Sequence, residues 1–399
     1  MLRDALNGLT VIDFTQIGAG PTCTMLLADL GARVIKVESP KGDLGRGLGP
    51  AWIGEDAALF QGFNRNKIGV SLDLKIPQAI SVAKRLISKA DVVVESMRPG
   101  VMSRLGLGHK ELCTEFPSLV YCSISAYGQE GPYAARAGVD GIIQADSGLM
   151  SLIGLEDSEP CKVQAPVVDV MTGYVAAMAV LAKLNQRAKD GLGGHLDANL
   201  LNSALALQQS SITSYFADGS LPVRVGSAAP YSAPNQAFET KDGWIMVAAY
   251  MPERWRRFCD ILGLPELADD ARFSNSPSRV ENRLSLVSLV SDILRTKSTN
   301  DWLGIFQNAD ILCSKVATYT DVTFHPQALF NSIFSKVVHP LHGEITMPGF
   351  PVNSVEENSR PHRPAPACGQ HTFEILREIG INSKELEELQ ISKAIYSTP

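Results

Sequence analysis

The sequence predicts an α/β fold built on a parallel β-sheet. Through the first part of the chain, short β-branched runs alternate with segments of helical pattern, and glycine-rich or polar turns separate them. This alternation is typical of a parallel sheet covered by helices on both faces. At 399 residues the chain is also longer than a single hydrophobic core usually grows, so we expect two domains.

The first elements in the chain form one strand–helix–strand unit. Residues 9–14 are a β-branched run, residues 22–30 have a helical pattern, and residues 34–38 form the next run. Pro21 suits the first helical turn, and Gly31 suits the position just after the helix. The same criteria predict further strands at 91–95 and 119–124, further helices at 77–89, 109–115 and 137–152, and a linker rich in proline and glycine at 218–235.

Composition and charge exclude several classes of function. The net charge is −6 and there is no run rich in lysine or arginine, so we expect neither nucleic acid nor an anionic membrane surface as partner. No apolar run reaches 18 residues, so no membrane span is expected. Seven scattered cysteines without a Cys-x-x-Cys pair predict reduced thiols, no metal site and a cytoplasmic protein.

Ligands of parallel sheets bind beyond the carboxyl ends of the strands, so the turns there are candidate contacts. The turn Gly18-Ala19-Gly20 resembles the start of a dinucleotide-binding fingerprint, and Glu38 ends the second strand. Cys23 stands where the third glycine would be, which argues against NAD. The signatures of serine hydrolases, zinc proteases and P-loop proteins are absent.

Asp169 lies between an apolar segment that contains proline and a long helical run rich in small residues. Two interpretations are open. Asp169 can be the N-cap of that helix. Alternatively, it can be a nucleophile whose pKa the helix N-terminus keeps low, so that the carboxylate stays ionised.

The motifs taken together resemble those of class III CoA-transferases, a group that includes carnitine and bile-acid CoA-transferases and 2-methylacyl-CoA racemases. The resemblance covers essentially the whole chain. It depends on the order and spacing of short segments at 6–15, 19–38, 64–67, 72–75, 91–95, 98–106, 144–148, 169–173, 242–245 and 369–372.

The resemblance implies a role for individual residues. Asp169 would be the nucleophile, attacking an acyl-CoA thioester to give an acyl-aspartyl anhydride and then an aspartyl-CoA thioester. Asp140 matches an acidic position of the pocket in some members. The CoA contacts carried over by position are Gly18, Ala19, Leu72, Asp73, Leu74, Lys75, Ser96, Met97, Arg98, Arg104, Arg136, Ala137, Gly138 and Val139.

The sequence departs from the family pattern at several positions. Gly18 replaces a glutamine of some transferases, and Ser39 replaces an arginine that often meets the adenosine end of CoA. The racemases place a histidine where this chain has Val139, so a racemase is the second choice. A catalytically silent CoA-binding protein, with Asp169 as a cap, is the alternative of another class.

The resemblance also implies an architecture and substrates. The fold would be a discontinuous, Rossmann-like large domain with a small α+β domain, and two chains would interlock as a homodimer. The substrates would be an acyl-CoA, with succinyl-CoA or another short dicarboxylyl-CoA as donor, and a small carboxylic acid, with no tightly bound cofactor. The corresponding segments are 1–210 and 326–399 for the large domain with its return linker, 211–235 for the first linker, and 236–325 for the small domain.

Overall fold

The computed structural model describes residues 2–340, 342–352 and 362–398. The chain divides into two units. The first is drawn from three stretches, Met1–Leu149, Lys162–Ser220 and Leu329–Pro399, and the second contains Met150–Cys161 and Leu221–Ala328. The division differs in detail from the predicted segments, because 150–161 belongs to the second unit and position 210 lies inside a helix.

A seven-stranded sheet forms the centre of the first unit, in the order β14-β5-β2-β1-β6-β7-β8. Its strands are parallel except β14, which runs antiparallel to β5 at one edge. This confirms the predicted α/β class with a mainly parallel sheet. The strands of the described chain are β1 Thr10–Phe14, β2 Arg33–Glu38, β3 Trp52–Ile53, β4 Asp56–Ala57, β5 Ile68–Leu72, β6 Val92–Glu95, β7 Val120–Ser125, β8 Gly194–Asn199, β9 Asn235–Glu239, β10 Trp244–Ala248, β11 Leu312–Lys315, β12 Phe334–His339, β13 Gly343–Pro348 and β14 Ile395–Tyr396.

Helices cover the sheet and build most of the second unit, whose core lies between helices and the antiparallel sheet β11-β10-β9. The helices of the described chain are α1 Ala19–Asp29, α2 Ala58–Phe63, α3 Pro77–Ile87, α4 Val101–Arg104, α5 His109–Glu115, α6 Asp140–Asp146, α7 Val167–Asp190, α8 Leu200–Leu207, α9 Gln209–Asp218, α10 Pro252–Leu262, α11 Ser276–Glu281, α12 Arg283–Leu294, α13 Thr299–Asn308, α14 Tyr319–Thr323, α15 Pro326–Phe330, α16 Thr372–Glu378 and α17 Ser383–Ile391.

The central strands end at the same level, which gathers the loops that follow them. β1 and β6 are almost fully buried, as expected for strands covered on both faces. In the parallel register Phe14 pairs with Glu95, so the last residues of β1 and β6 lie side by side. The loops after β1, β2, β5 and β6 therefore meet at one edge of the sheet.

Small residues bring α1 and α7 close together. A Cβ atom on Gly173 would lie 2.5 Å from Cβ of Thr22 and 2.8 Å from the carbonyl oxygen of Ala19, both on α1. Ala176 and Ala177 continue the buried face of α7. By length and composition alone α7 could also cross a membrane, but this packing is that of a core helix.

Two helices differ from the prediction. The helix expected at 137–152 is only α6, followed by a 3-10 turn at Leu149–Leu152, because Gly148 adopts φ +81° between them. The long helix begins at Val167, so its N-cap position is Pro166 and Asp169 lies in the first turn. The interpretation of Asp169 as the N-cap is therefore wrong.

Candidate active site

Asp169 is held where the N-termini of two helices meet. Its side chain projects from the first turn of α7 and lies against Gly18, the N-cap residue of α1. A Cβ atom on Gly18 would overlap the Asp169 carboxylate, so only glycine fits there without a shift. Across the described residues, no hydrogen bond to either carboxylate oxygen of Asp169 is present. The Asp169 carboxylate is thus half-buried against Gly18 and accepts no hydrogen bond from the described residues.

Asp140, the first residue of α6, performs the capping role that the sequence suggested for Asp169. Its Oδ2 atom accepts hydrogen bonds from the backbone N–H groups of Val168 at 2.8 Å and Asp169 at 3.1 Å. These are two of the donors that a helix start leaves without an intrahelical partner. Asp140 is buried, so it fixes the beginning of α7 and hence the Asp169 side chain.

Gln144 holds Asp140 in turn. Its Nε2 atom donates to Oδ1 of Asp140 at 2.5 Å and to the carbonyl oxygen of Val163 at 3.1 Å, and its Oε1 atom accepts from the Val163 N–H at 2.9 Å. Gln144 is completely buried. The amide therefore ties α6 to the segment that leads into α7.

The carboxylate of Asp169 is harder to ionise than the sequence suggested. Burial, and then the neighbouring Asp140 carboxylate, raise the pKa of Asp169 to about 7. The expected low pKa is therefore wrong. A helix N-terminus usually contributes only about 0.3–1 kcal/mol to an anion, which is less than burial and a second carboxylate can cost. Near neutral pH, ionised and protonated forms coexist.

A cleft of about 290 Å³ opens beside this site, at the carboxyl edge of the sheet. It begins at Phe14, Thr15 and Gln16, the end of β1 and the start of the loop that leads to Gly18. One continuous loop therefore connects the cleft with Asp169. The lining residues are Phe14, Thr15, Gln16, Val37, Glu38, Ser39, Gly42, Asp43, Leu72, Asp73, Leu74, Lys75, Met97, Val101 and Leu105.

The cleft contains five of the residues that the resemblance proposed for CoA. Leu72 ends β5, Asp73, Leu74 and Lys75 form the following turn, and Met97 follows β6. Ser96 lies behind the lining, where its Oγ atom accepts from the Gln16 N–H at 3.0 Å.

The other proposed contacts lie elsewhere. Gly18 and Ala19 start α1 beside Asp169, and Arg98 lines a separate cavity of about 170 Å³. Arg104 is exposed at the end of α4, and Arg136 stacks on the ring of Tyr133 at 3.7 Å. None of these, nor Ala137, Gly138 or Val139, is among the residues that line the cleft.

Sequence reasoning missed part of the lining. Gln16 is the second residue after β1, and Asp43 lies in the loop after β2, so the rule about carboxyl ends could have found both. Val101 and Leu105 come from α4 and the residue after it. They carry no sequence signal beyond being apolar.

Comparisons with known proteins identify the family. The model of CoA-transferase family III matches residues 6–372. The human succinyl-CoA:glutarate CoA-transferase is 37% identical over 94% of this chain and 86% of its own. A succinate–glutarate CoA-transferase of Agrobacterium fabrum is 32% identical over 94% of this chain and 96% of its own.

Among solved structures, a CaiB/BaiF family protein from Brucella suis superposes with a TM-score of 0.85 at 32% identity, covering 94% of this chain and 99% of that one. These matches lead to one conclusion. The chain belongs to CoA-transferase family III and is an enzyme with CoA-transferase activity.

Proposed function

We propose that the protein transfers CoA from a short dicarboxylyl-CoA, with succinyl-CoA as the first choice, to a carboxylic acid through covalent intermediates on Asp169. The observation that carries the proposal is the Asp169 carboxylate, half-buried against Gly18 and without a hydrogen bond among the described residues. A carboxylate is a weak nucleophile in water. Removal from water and fixed orientation are what such a group needs to attack a thioester.

The proposed chemistry exchanges one bond at a time. An Asp169 oxygen attacks the acyl carbon of the donor and the carbon–sulfur bond breaks. The products of this step are CoA thiolate and an acyl-aspartyl anhydride. The thiolate then attacks the Asp169 carboxyl carbon and expels the donor acid. The acceptor carboxylate attacks the resulting aspartyl-CoA thioester, and the released thiolate finally attacks the acceptor acyl carbon, which restores Asp169.

The chain's own groups support this reaction over racemisation. A racemase needs proton-transfer groups on both faces of the α-carbon. Val139 offers no such group, and both oxygens of Asp140 already accept hydrogen bonds from Val168, Asp169 and Gln144. We assign Asp140 to holding α7 and tuning the Asp169 pKa, rather than to proton transfer.

The names of the relatives suggest where to begin with substrates. The human and Agrobacterium fabrum relatives are named for succinyl or succinate and glutarate. We therefore propose succinyl-CoA as donor and glutarate as the first acceptor to test. A panel of mono- and dicarboxylic acids would then define the specificity.

Detection of the covalent intermediate tests the proposal. The protein is mixed with succinyl-CoA, quenched in acid and digested, and the peptide containing Asp169 is analysed by mass spectrometry. We expect a CoA or succinyl adduct on this peptide, and none in Asp169→Asn, whose transferase rate should fall by about 10³-fold or more. If no acyl-CoA gives an adduct and Asp169→Asn keeps the parent rate, the proposal fails, and a silent CoA-binding protein becomes the better interpretation.

We also propose an interlocked homodimer that works in the cytoplasm. Phe216 on α9 is 79% exposed in the single chain, which supports a partner covering this helix. Sedimentation should give about twice the chain mass of 43.0 kDa. A particle of one chain mass at all concentrations would contradict the dimer, and cell fractionation would test the location.

A further inference from the structure

The loop between β1 and α1 contains a strained residue next to the Asp169 site. Ile17 has φ +70°, in the left-handed region. A β-branched side chain there crowds the backbone, so the conformation is unfavourable and persists only where its surroundings hold it. Gly18, the residue that lies against Asp169, follows directly in the chain.

The buried ion pair Lys36–Asp43 binds the backbone of this loop. The backbone N–H of Ile17 donates to Oδ1 of Asp43 at 3.0 Å, and Oδ2 of Asp43 lies 2.7 Å from Nζ of Lys36. The same Nζ atom donates to the carbonyl oxygen of Thr15 at 2.9 Å. Asp43 and Lys36 therefore hold the loop on both sides of Gln16.

Two further contacts fix the rest of the loop. The N–H of Thr15 donates to Oδ1 of Asp13 at 2.8 Å, and the N–H of Gln16 donates to Oγ of Ser96 at 3.0 Å. Residues 15, 16 and 17 each have their backbone N–H bound to a side chain. The path of the chain into Gly18 is thus set by groups outside the loop.

The Lys36–Asp43 pair is costly to keep in the interior. The two residues are 0% and 3% exposed. Although burial alone would lower the pKa of Lys36, the carboxylates of Asp13 and Asp43 raise it, so the lysine stays charged. Apolar residues can often replace a buried ion pair without loss of stability, so stability by itself does not account for this pair.

We propose that Asp43 is a positioning residue, which together with Lys36 holds Ile17 in the left-handed conformation and thereby sets Gly18 against the Asp169 carboxylate. It acts through Ile17 and Gly18, and the inference rests on the proposed role of Asp169 as nucleophile. Without these contacts, Ile17 relaxes toward negative φ. Gly18, against which the Asp169 carboxylate packs, then moves.

The test compares two buried aspartates. In Asp43→Asn, the rate of adduct formation on Asp169 at saturating succinyl-CoA should fall by about tenfold or more, because small displacements of reacting groups are costly. The control is Asp29→Asn, which removes a carboxylate that is also 3% exposed and is bound to Arg65, away from this loop. It should leave the adduct rate unchanged, although it lowers the melting temperature.

Variants at Ile17 separate positioning from a general structural role. Glycine adopts positive φ without strain. In an Ile17→Gly background, Asp43→Asn should therefore reduce the adduct rate much less than it does in the Ile17→Ala background. A loss of equal size in both backgrounds overturns the inference. So does an Asp43→Asn rate equal to that of Asp29→Asn.

A variant that does not fold and a parent that forms no adduct each have a clear consequence. If Asp43→Asn alone fails to fold because Lys36 is left unpaired, Lys36→Met combined with Asp43→Ala removes both charges and the acceptor for the Ile17 N–H, and the same fall in rate is expected. If the parent protein itself forms no adduct, the proposed function fails. A parent that forms the adduct while these variants match its rate leaves the function standing and rejects the role of Asp43.

Discussion

Asp169 combines a protected position with a raised pKa, and Asp140 is responsible for part of both. The Asp140 carboxylate binds the first free N–H groups of α7 and so orients the helix turn that carries Asp169. The same negative charge, after burial, raises the pKa of Asp169. The contact that orients Asp169 therefore also lowers the fraction of its carboxyl group that is ionised near neutral pH.

The rate of adduct formation should depend on pH through Asp169. Its pKa is raised to about 7, so only a small fraction of Asp169 is ionised in acid, and ionisation is complete only above neutral pH. We expect the single-turnover rate with succinyl-CoA to rise with pH and to level off above an inflection near 7. In Asp140→Asn the inflection should move to lower pH, because one cause of the raised pKa is removed. Stopped-time mass spectrometry across about pH 5 to 9 measures both profiles.

The direction of the shift in Asp140→Asn is the decisive feature. The maximum rate of this variant should fall as well, because an asparagine amide at this position would face the Nε2 donor of Gln144. The pH of the inflection does not depend on this fall in the maximum rate. An inflection that stays in place or rises in Asp140→Asn would contradict the electrostatic coupling between the two carboxylates.

At the scale of elements, the contact between α1 and α7 determines how closely Gly18 approaches Asp169. The small residues of α7 were visible in the sequence as room for a close neighbour. The partner helix was not, because the residues that meet Gly173 are Ala19 and Thr22, some 150 positions away. The capping of α7 by Asp140 is long-range in the same way, since Asp140 lies 28 and 29 positions before the N–H groups that it accepts from. From sequence alone, only the local Asp169 could be considered as the cap.

Gly173→Ala tests this contact. The added methyl group would meet Thr22 at 2.5 Å, so α1 and α7 must separate, and overpacking of this kind typically costs about 1–3 kcal/mol. We expect a lower unfolding free energy and a slower adduct rate, because the start of α1 moves with the helix. Denaturant unfolding and the mass-spectrometric rate provide the two measurements.

The matched control is Gly62→Ala on α2, where a Cβ atom would have nothing within 4 Å. Helix propensity favours alanine over glycine by about 0.5–1 kcal/mol. The control should therefore be as stable as the parent or more so, with an unchanged adduct rate. If both glycine variants behave alike, close helix packing does not control the site.

At the scale of the whole molecule, strands β1, β2, β6 and β7 could be predicted because buried parallel strands leave uninterrupted apolar runs, whereas β5 and the edge strand β14 were not predicted. Val92, Val93 and Val94 form such a run and are fully buried. The proposed role of Asp169 as nucleophile came only from the family resemblance. Neither the raised pKa of Asp169 nor the strain at Ile17 could be predicted, because both depend on Asp140 and Asp43, which only the folded chain brings to them.

The edge strand β14 contributes to the geometry of the cleft in which we propose that CoA binds. Ile395 pairs with Leu72 and Tyr396 with Ser71, and the Asp73 N–H donates to the carbonyl oxygen of Ala394 at 2.9 Å. Leu72 and Asp73 line the cleft. The geometry of these two cleft residues therefore depends on a segment more than 300 positions later in the sequence.

Deletion of residues 394–399 should weaken CoA binding, because β5 loses its neighbour and the turn that follows it loses a backbone hydrogen bond. We expect the dissociation constant of CoA to rise by about tenfold or more and the melting temperature to fall. Deletion of residues 398–399 alone keeps β14 and should change neither quantity. Because the Asp169 site lies on α1 and α7, the longer deletion should still form the adduct at high succinyl-CoA. Unchanged CoA affinity in the longer deletion would show that the cleft does not depend on β14, whereas loss of the adduct at saturation would show that the edge strand supports the nucleophile as well.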